Sequence, residues 1–163
     1  IIAPRHINRV EDIKKICENY DLKCKILNKN QSFDEANEIF IINFFGSLPY
    51  FYKYASSVFV GKSTIKKLIK DGGQNPIDAV RMGCKIYHGP YFYNFQEIYE
   101  FLIKNNISKV VWNSDELFNY LKDDLENNKK NIGQFSKLID SIGEKTFDET
   151  MKKINKFLDV ETF

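Results

Sequence analysis

Short apolar runs rich in β-branched residues alternate along this chain with segments whose apolar residues recur at helical spacing. That is the pattern of βαβ units closing on a parallel sheet. Ile1–Ala3 reads as a first buried strand. A helix follows over about Val10–Tyr20, with Val10, Ile13, Ile16 and Cys17 on one stripe. Cys24–Leu27 is a short second strand, Asn28–Asn37 a polar loop, and Glu38–Asn43 another strand. Leu48–Tyr54 is a short helix whose second residue is a proline, compatible with a first helical turn. Strands are expected at Ser57–Val60 and Cys84–Tyr87, and a helix at Asn94–Asn105 with Phe95, Ile98, Tyr99 and Leu102 on one face. Lys109–Trp112 fits an edge strand. From Ser114 onward the chain reads as charge-laced helix, first around Leu117, Phe118 and Leu121. One or two further helices follow over Phe135–Ile142 and Phe147–Leu158. The expected fold is a Rossmann-like three-layer α/β/α domain with a parallel sheet and a helical C-terminal segment.

The 163 residues suffice for one sizeable core, so a single domain over residues 1–163 is expected. The opening Ile1-Ile2-Ala3, a strand with no initiator methionine or leading cap, reads as cut from something longer. Basic and acidic residues number 24 and 22 and are interspersed, which argues against a nucleic-acid-binding face. Cys17, Cys24 and Cys84 are odd in number and lack C-x-x-C spacing, which favours a reduced, cytoplasmic setting without a disulfide framework. His6 and His88 are far apart in the sequence, so no metal site is expected. No apolar run approaches the ~20 residues that span a bilayer, so the chain itself is expected to be soluble.

Ligands of open parallel sheets bind at the carboxyl ends of strands, where loops lead into helices. Gly61-Lys62-Ser63-Thr64 resembles the end of a phosphate-binding P-loop, but Ser56 stands where that motif requires its first glycine. Gly72-Gly73-Gln74-Asn75-Pro76-Ile77-Asp78 carries more. The two glycines permit a tight turn and a close approach to a ligand. Asn75 fits an N-cap, Pro76 the first helical position and Asp78 the third of a helix over about Pro76–Met82. Such a helix start is either a plain capping arrangement or an anion site, with Asp78 able to accept ribose hydroxyls. Arg5, after the first strand, suits a phosphate or else pairs with Glu11 or Asp12. Gly46 and Ser47 form a second small-residue loop. The aromatics Tyr87, Tyr91, Phe92, Tyr93 and Phe95 are expected to pack between elements rather than stack on bases.

Several of these segments together resemble the 3-deoxy-D-manno-octulosonic acid (Kdo) transferases. They are Ile2-Ala3-Pro4-Arg5-His6, Gly46, Phe59-Val60-Gly61-x-Ser63, Gly72-Gly73-Gln74-Asn75-Pro76, and Gly89-Pro90 with Asn94-Phe95, in family order over about Ile1–Phe101. The resemblance implies the C-terminal half of a GT-B glycosyltransferase, two facing Rossmann-like domains of which this half binds CMP-Kdo. It implies CMP contacts at Pro4 and Arg5, at Phe45, Gly46 and Ser47, and at Asn75, Pro76, Ile77 and Asp78, with Gly72 and Gly73 shaping the site. No cofactor is implied. The acceptor, a lipid A precursor of lipopolysaccharide assembly, would be bound by an N-terminal domain that also holds the catalytic carboxylate and the membrane anchor. The full-length protein would act at the cytoplasmic face of the bacterial inner membrane, and this part alone would be inactive. The chain departs from the family at Asn43 and Ser47, where acidic residues are usual, and at Asp78, where Glu is usual. Its Thr64–Asp71 stretch is longer and more basic. These departures leave open another GT-B transferase using a UDP- or GDP-sugar, or a non-catalytic nucleotide-binding module.

Overall fold

The computed structural model describes residues 1–127 and 132–158. The chain divides into two compact units, Ile1–Leu48 and Pro49–Phe163, and each carries its own parallel strands. Among the described residues, the single sheet expected from the alternation is thus seen as two, one of two strands in the first unit and one of three in the second.

In the first unit a 3-10 turn (Ile7–Arg9) leads into α1 (Val10–Asn19), followed by β1 (Cys24–Leu27) and β2 (Ile39–Ile42). β1 and β2 pair in parallel, Cys24 opposite Ile39 through Leu27 opposite Ile42. The predicted first strand is reduced to one parallel bridge, in which Ile2 N–H donates to the Phe40 carbonyl and Ile42 N–H to that of Ile2. Of the predicted stripe on α1, Val10 and Cys17 are buried while Ile16 stays exposed. The apolar face is therefore narrower than the spacing implied. Phe33 closes edge-on over Phe40 at 4.7 Å between ring centres.

In the second unit, α2 (Leu48–Tyr54, its first residue the last of the first unit) precedes β3 (Ser57–Val60). A 3-10 turn (Lys66–Leu68), α3 (Ile77–Arg81), β4 (Lys85–His88), a 3-10 turn (Tyr93–Phe95), α4 (Gln96–Lys104) and β5 (Ser108–Val110) follow. The strands run in parallel in the order β3-β4-β5, with Val60 opposite His88 and His88 opposite Val110. The edge strand thus starts one residue earlier than predicted and ends before Val111. α5 (Ser114–Glu126) is capped by Asn113, whose side chain accepts the Glu116 N–H. The C-terminal helical run is one helix, α6 (Ile132–Leu158).

The core of this unit joins Val60 and Ile86 of the strands, Ala79 and Val80 of α3, Tyr99 and Leu102 of α4, and Phe135 and Ile139 of α6. Burying such side chains contributes about 1.5–3 kcal/mol each, so α6 is anchored through its first turns. Its later apolar residues Phe147, Ile154, Phe157 and Leu158 are exposed. Among the described residues, no helix is long and apolar enough to cross a membrane.

Candidate functional site

Within the second unit, the loops that leave the carboxyl ends of β3 and β4 are stitched together. Ser63, fully buried, donates its hydroxyl to the Val60 carbonyl at 2.6 Å and accepts the Gly89 N–H at 2.8 Å. Tyr91 N–H donates to the Ser63 carbonyl at 2.9 Å. The Ser63 hydroxyl is therefore committed to the fold and is not the metal-facing hydroxyl of a P-loop, in line with the broken motif. Tyr87, Phe92 and Phe95 of this region pack, as expected, while Tyr93 is exposed: Phe92 and Tyr99 both lie against His88, and Tyr87 stacks on Tyr120 of α5.

Residues 62–73 close on themselves through a Gly73 N–H bond to the Lys62 carbonyl at 2.9 Å. Asn94 then straps this lobe to the start of α4. Its N–H donates to the Gly72 carbonyl at 3.3 Å and its Nδ2 to the Asp71 carbonyl at 3.1 Å. Tyr99 reaches from the core to donate its hydroxyl to the Gln74 carbonyl at 2.8 Å. Three separate elements thus fix the backbone that ends in Asn75.

The two glycines also serve the packing of the loop itself. A Cβ on Gly72 would stand 2.2 Å from the Tyr91 carbonyl oxygen, so it is a neighbouring loop that approaches closely here. Gly73 is buried with φ +87° beside Phe92, a conformation side chains disfavour. Both build the loop from inside.

Asn75 and Asp78 are exposed, Pro76 is fully buried and Ile77 is half-buried. The N-cap is Pro76, whose carbonyl accepts the Val80 N–H at 3.0 Å, rather than Asn75 as expected; Asn75 stands one residue before it, and its Oδ1 accepts the Ile77 N–H at 3.0 Å. Regular helix begins only at Ile77, so Asp78 lies in its first turn, and α3 has five residues rather than the seven expected. A helix this short has a small macrodipole, and Asn75 has taken one of its free donors. An anion here would depend on side chains more than on the helix end. Asp78 makes no ion pair with any described residue, which leaves its carboxylate free to accept hydroxyls.

In the first unit, Pro4 is half-buried and Arg5 exposed just past the Ile2 bridge, and Arg5 forms no ion pair with a described residue. The alternative pairing with Glu11 or Asp12 is not formed. Phe45 is 71% exposed, Gly46 has φ +83°, and the Ser47 hydroxyl is sheltered from solvent without a hydrogen-bond partner.

Sequence reasoning missed His88. It is wholly buried at the end of β4, with Nδ1 2.8 Å from the Gly89 carbonyl oxygen and Nε2 unpartnered. Burial holds its pKa below the ordinary histidine value, and the Gly89 bond only partly opposes this. It missed equally the buried Asp124 of α5, which takes the Lys85 ammonium and, at 2.8 Å, the Tyr87 hydroxyl. Burial and this carboxylate raise the Tyr87 pKa. Neither residue stands in a recognisable spacing, so only the folded sheet exposes them as a group.

Comparison with known proteins converges on one group. The Rickettsia prowazekii 3-deoxy-D-manno-octulosonic acid transferase is 26% identical over 163 residues, covering 97% of this chain and 34% of its own length. The Rickettsia typhi protein of the same name is 29% identical over 122 residues, covering 75% of this chain and 25% of its own length. The chain is similar to the Kdo transferases. It spans about a third or less of the length of these two relatives, and no family model matches it. Among solved structures, the C-terminal CMP-Kdo binding domain of WaaA from Acinetobacter baumannii superposes with a TM-score of 0.71 at 21% identity. That match covers 85% of this chain and 70% of the other. The chain accordingly shares the fold of that domain, an α/β fold of the kind that the alternation of strands and helices predicted.

Proposed function

We propose that this chain is the donor-binding domain of a glycosyltransferase that transfers Kdo from CMP-Kdo to a lipid A precursor in lipopolysaccharide biosynthesis. The observation that carries the reading is the braced segment at the carboxyl end of β3 and β4. It holds Asn75 and Asp78 exposed on a backbone fixed by Asn94, Tyr99 and the Gly72–Tyr91 contact. Ligands of open parallel sheets bind at this edge. The similarity to Kdo transferases along nearly the whole chain supports the choice of nucleotide sugar.

In this reading Asp78 accepts the ribose hydroxyls. Asn75 shapes the turn through its Oδ1 and keeps its Nδ2 as a donor toward the nucleotide. In the first unit, Arg5 supplies a guanidinium fork for phosphate, with Pro4, Phe45, Gly46 and Ser47 as further nucleotide contacts. Fixed donors aimed at the departing CMP phosphate would lower the barrier by stabilising the charge that develops there. The acceptor and the base that activates it belong to the rest of the full-length protein, which works at the cytoplasmic face of the inner membrane.

Calorimetric titration of the chain with CMP, UMP and GMP tests this. CMP should bind in preference to both others, and Arg5→Ala should weaken it about tenfold, the cost of one charge-assisted contact. Tighter binding of UMP or GMP would move the reading to another nucleotide sugar. Absence of binding by all three would make the chain a non-catalytic module.

A further inference from the structure

Four residues other than glycine have positive φ among the described residues: Asp21, Asn30, Lys62 and Asn106. Three are Asp or Asn, whose short polar side chains tolerate the left-handed region, and two of these, Asp21 and Asn106, follow helix ends where such a residue is usual. Lys62 is different. With φ +61° it carries a long side chain, and it stands just past the carboxyl end of β3 rather than after a helix. A residue held in this region costs stability, and such strain concentrates where a site needs a group held in one place.

The position of Lys62 gives that strain a purpose. Its carbonyl receives the Gly73 N–H, so the residue is tied by one hydrogen bond to the segment that runs into Asn75. The next residue, Ser63, is wholly buried and bonded to both strand loops, which fixes the backbone on the other side. The Lys62 side chain is half-buried, yet its ammonium makes no ion pair with any described residue. A cation with no internal partner is suited to an external anion.

We infer that Lys62 is a donor-contacting residue, the cation that takes an oxyanion of the nucleotide-sugar donor, either its phosphate or the carboxylate of its sugar acid. This rests on the donor-binding reading of the same loop cluster. The left-handed backbone is kept because it holds Lys62 at the strand end, with its carbonyl bonded to Gly73 of the Gly73–Asp78 segment. Glycine at this position would fold with less strain and bind less well.

Three variants separate these effects: Lys62→Met, which removes the charge and keeps the strain, Lys62→Gly, which removes both, and Lys62→Arg, which keeps both. Each is titrated with CMP, and then with free octulosonic acid in the presence of saturating CMP, with thermal unfolding recorded alongside. Lys62→Met and Lys62→Gly should lose about tenfold or more in affinity for one of the two ligands, and Lys62→Arg should stay within about threefold of the wild type. Loss toward CMP assigns the phosphate, and loss toward the sugar acid assigns the carboxylate. Lys62→Gly alone should melt higher, by about 2–6 °C. If the wild type binds CMP and both charge-removing variants bind both ligands equally well, the assignment of Lys62 fails while the donor-binding reading stands. If the wild type binds neither ligand, both fail. If Lys62→Gly melts no higher than the wild type, the strain that singled out Lys62 is absent and the inference is overturned.

Discussion

Replacing Gly72 with alanine adds one methyl group at the place where two loops cross. That methyl would lie 2.2 Å from the Tyr91 carbonyl oxygen, 2.7 Å from the Tyr91 carbonyl carbon and 3.0 Å from the Leu68 carbonyl oxygen. All three obstacles are main chain, so no side chain can swing aside. The two backbones would have to part by about 1 Å to restore ordinary contact. Overpacking of this kind costs about 1–3 kcal/mol. The separation also pulls on the Tyr91 N–H bond to Ser63 and the Asn94 N–H bond to Gly72, each worth about 1 kcal/mol. Gly72→Ala should therefore destabilise the chain by about 2–4 kcal/mol, a large share of the 5–15 kcal/mol typical of a domain. Urea unfolding followed by circular dichroism measures this directly. Gly61→Ala is the matched control: it lies at the end of β3, has no positive φ and has open space around its Cβ position. It should be neutral or stabilise by up to about 1 kcal/mol. A Gly72→Ala loss under about 0.5 kcal/mol, or equal losses at both glycines, would refute the account of how the segment is braced.

Other expectations can be checked in the same way. His88 is buried with its pKa depressed by desolvation, so the unfolded chain binds its proton more readily than the native one. Its contribution to stability is intact above about pH 6.5 and is lost as pH falls below that value, at up to about 1.4 kcal/mol per pH unit. In urea titrations across pH 5–8, His88→Phe should remove that part of the slope, and an unchanged slope would contradict it. Asn75→Ala removes the Oδ1 acceptor of the Ile77 N–H and should cost about 1 kcal/mol in thermal or urea unfolding. Asp124→Ala leaves the Tyr87 hydroxyl and the Lys85 ammonium without their shared partner. With Lys85 about a third exposed, a loss of about 2–3 kcal/mol is expected. Tyr87→Phe in the Asp124→Ala background should then cost less than in the wild type, a coupling that a double-mutant cycle reads out.

Periodicity carried most of the secondary structure. Leu48–Tyr54 and Ser57–Val60 begin and end where the apolar pattern placed them, each bounded by small residues, Ser47 and Ala55 for the helix and Ser56 and Gly61 for the strand. Boundaries slipped where a second geometry intervened. Tyr93–Phe95 forms a 3-10 turn before α4, and the cap of α3 falls on Pro76, so that helix begins only at Ile77. The candidate loop was legible from Gly72-Gly73 and Asn75-Pro76, but the partner of Gly72 was not. That partner is the backbone of Tyr91, far along the chain, and no spacing rule reports a contact between two loops. Lys62 was hidden for a related reason. Its residue type is ordinary, and only its backbone angle sets it apart.

Resonance-resolved titration of the chain with CMP tests the central claim most directly. The account predicts saturable shifts at the amides of Lys62, Gly73, Gln74, Asn75, Ile77 and Asp78, with the groove between Asn105 and Ser141 in the second unit unaffected. Saturable shifts confined to that groove, or no shifts at millimolar CMP, would contradict it.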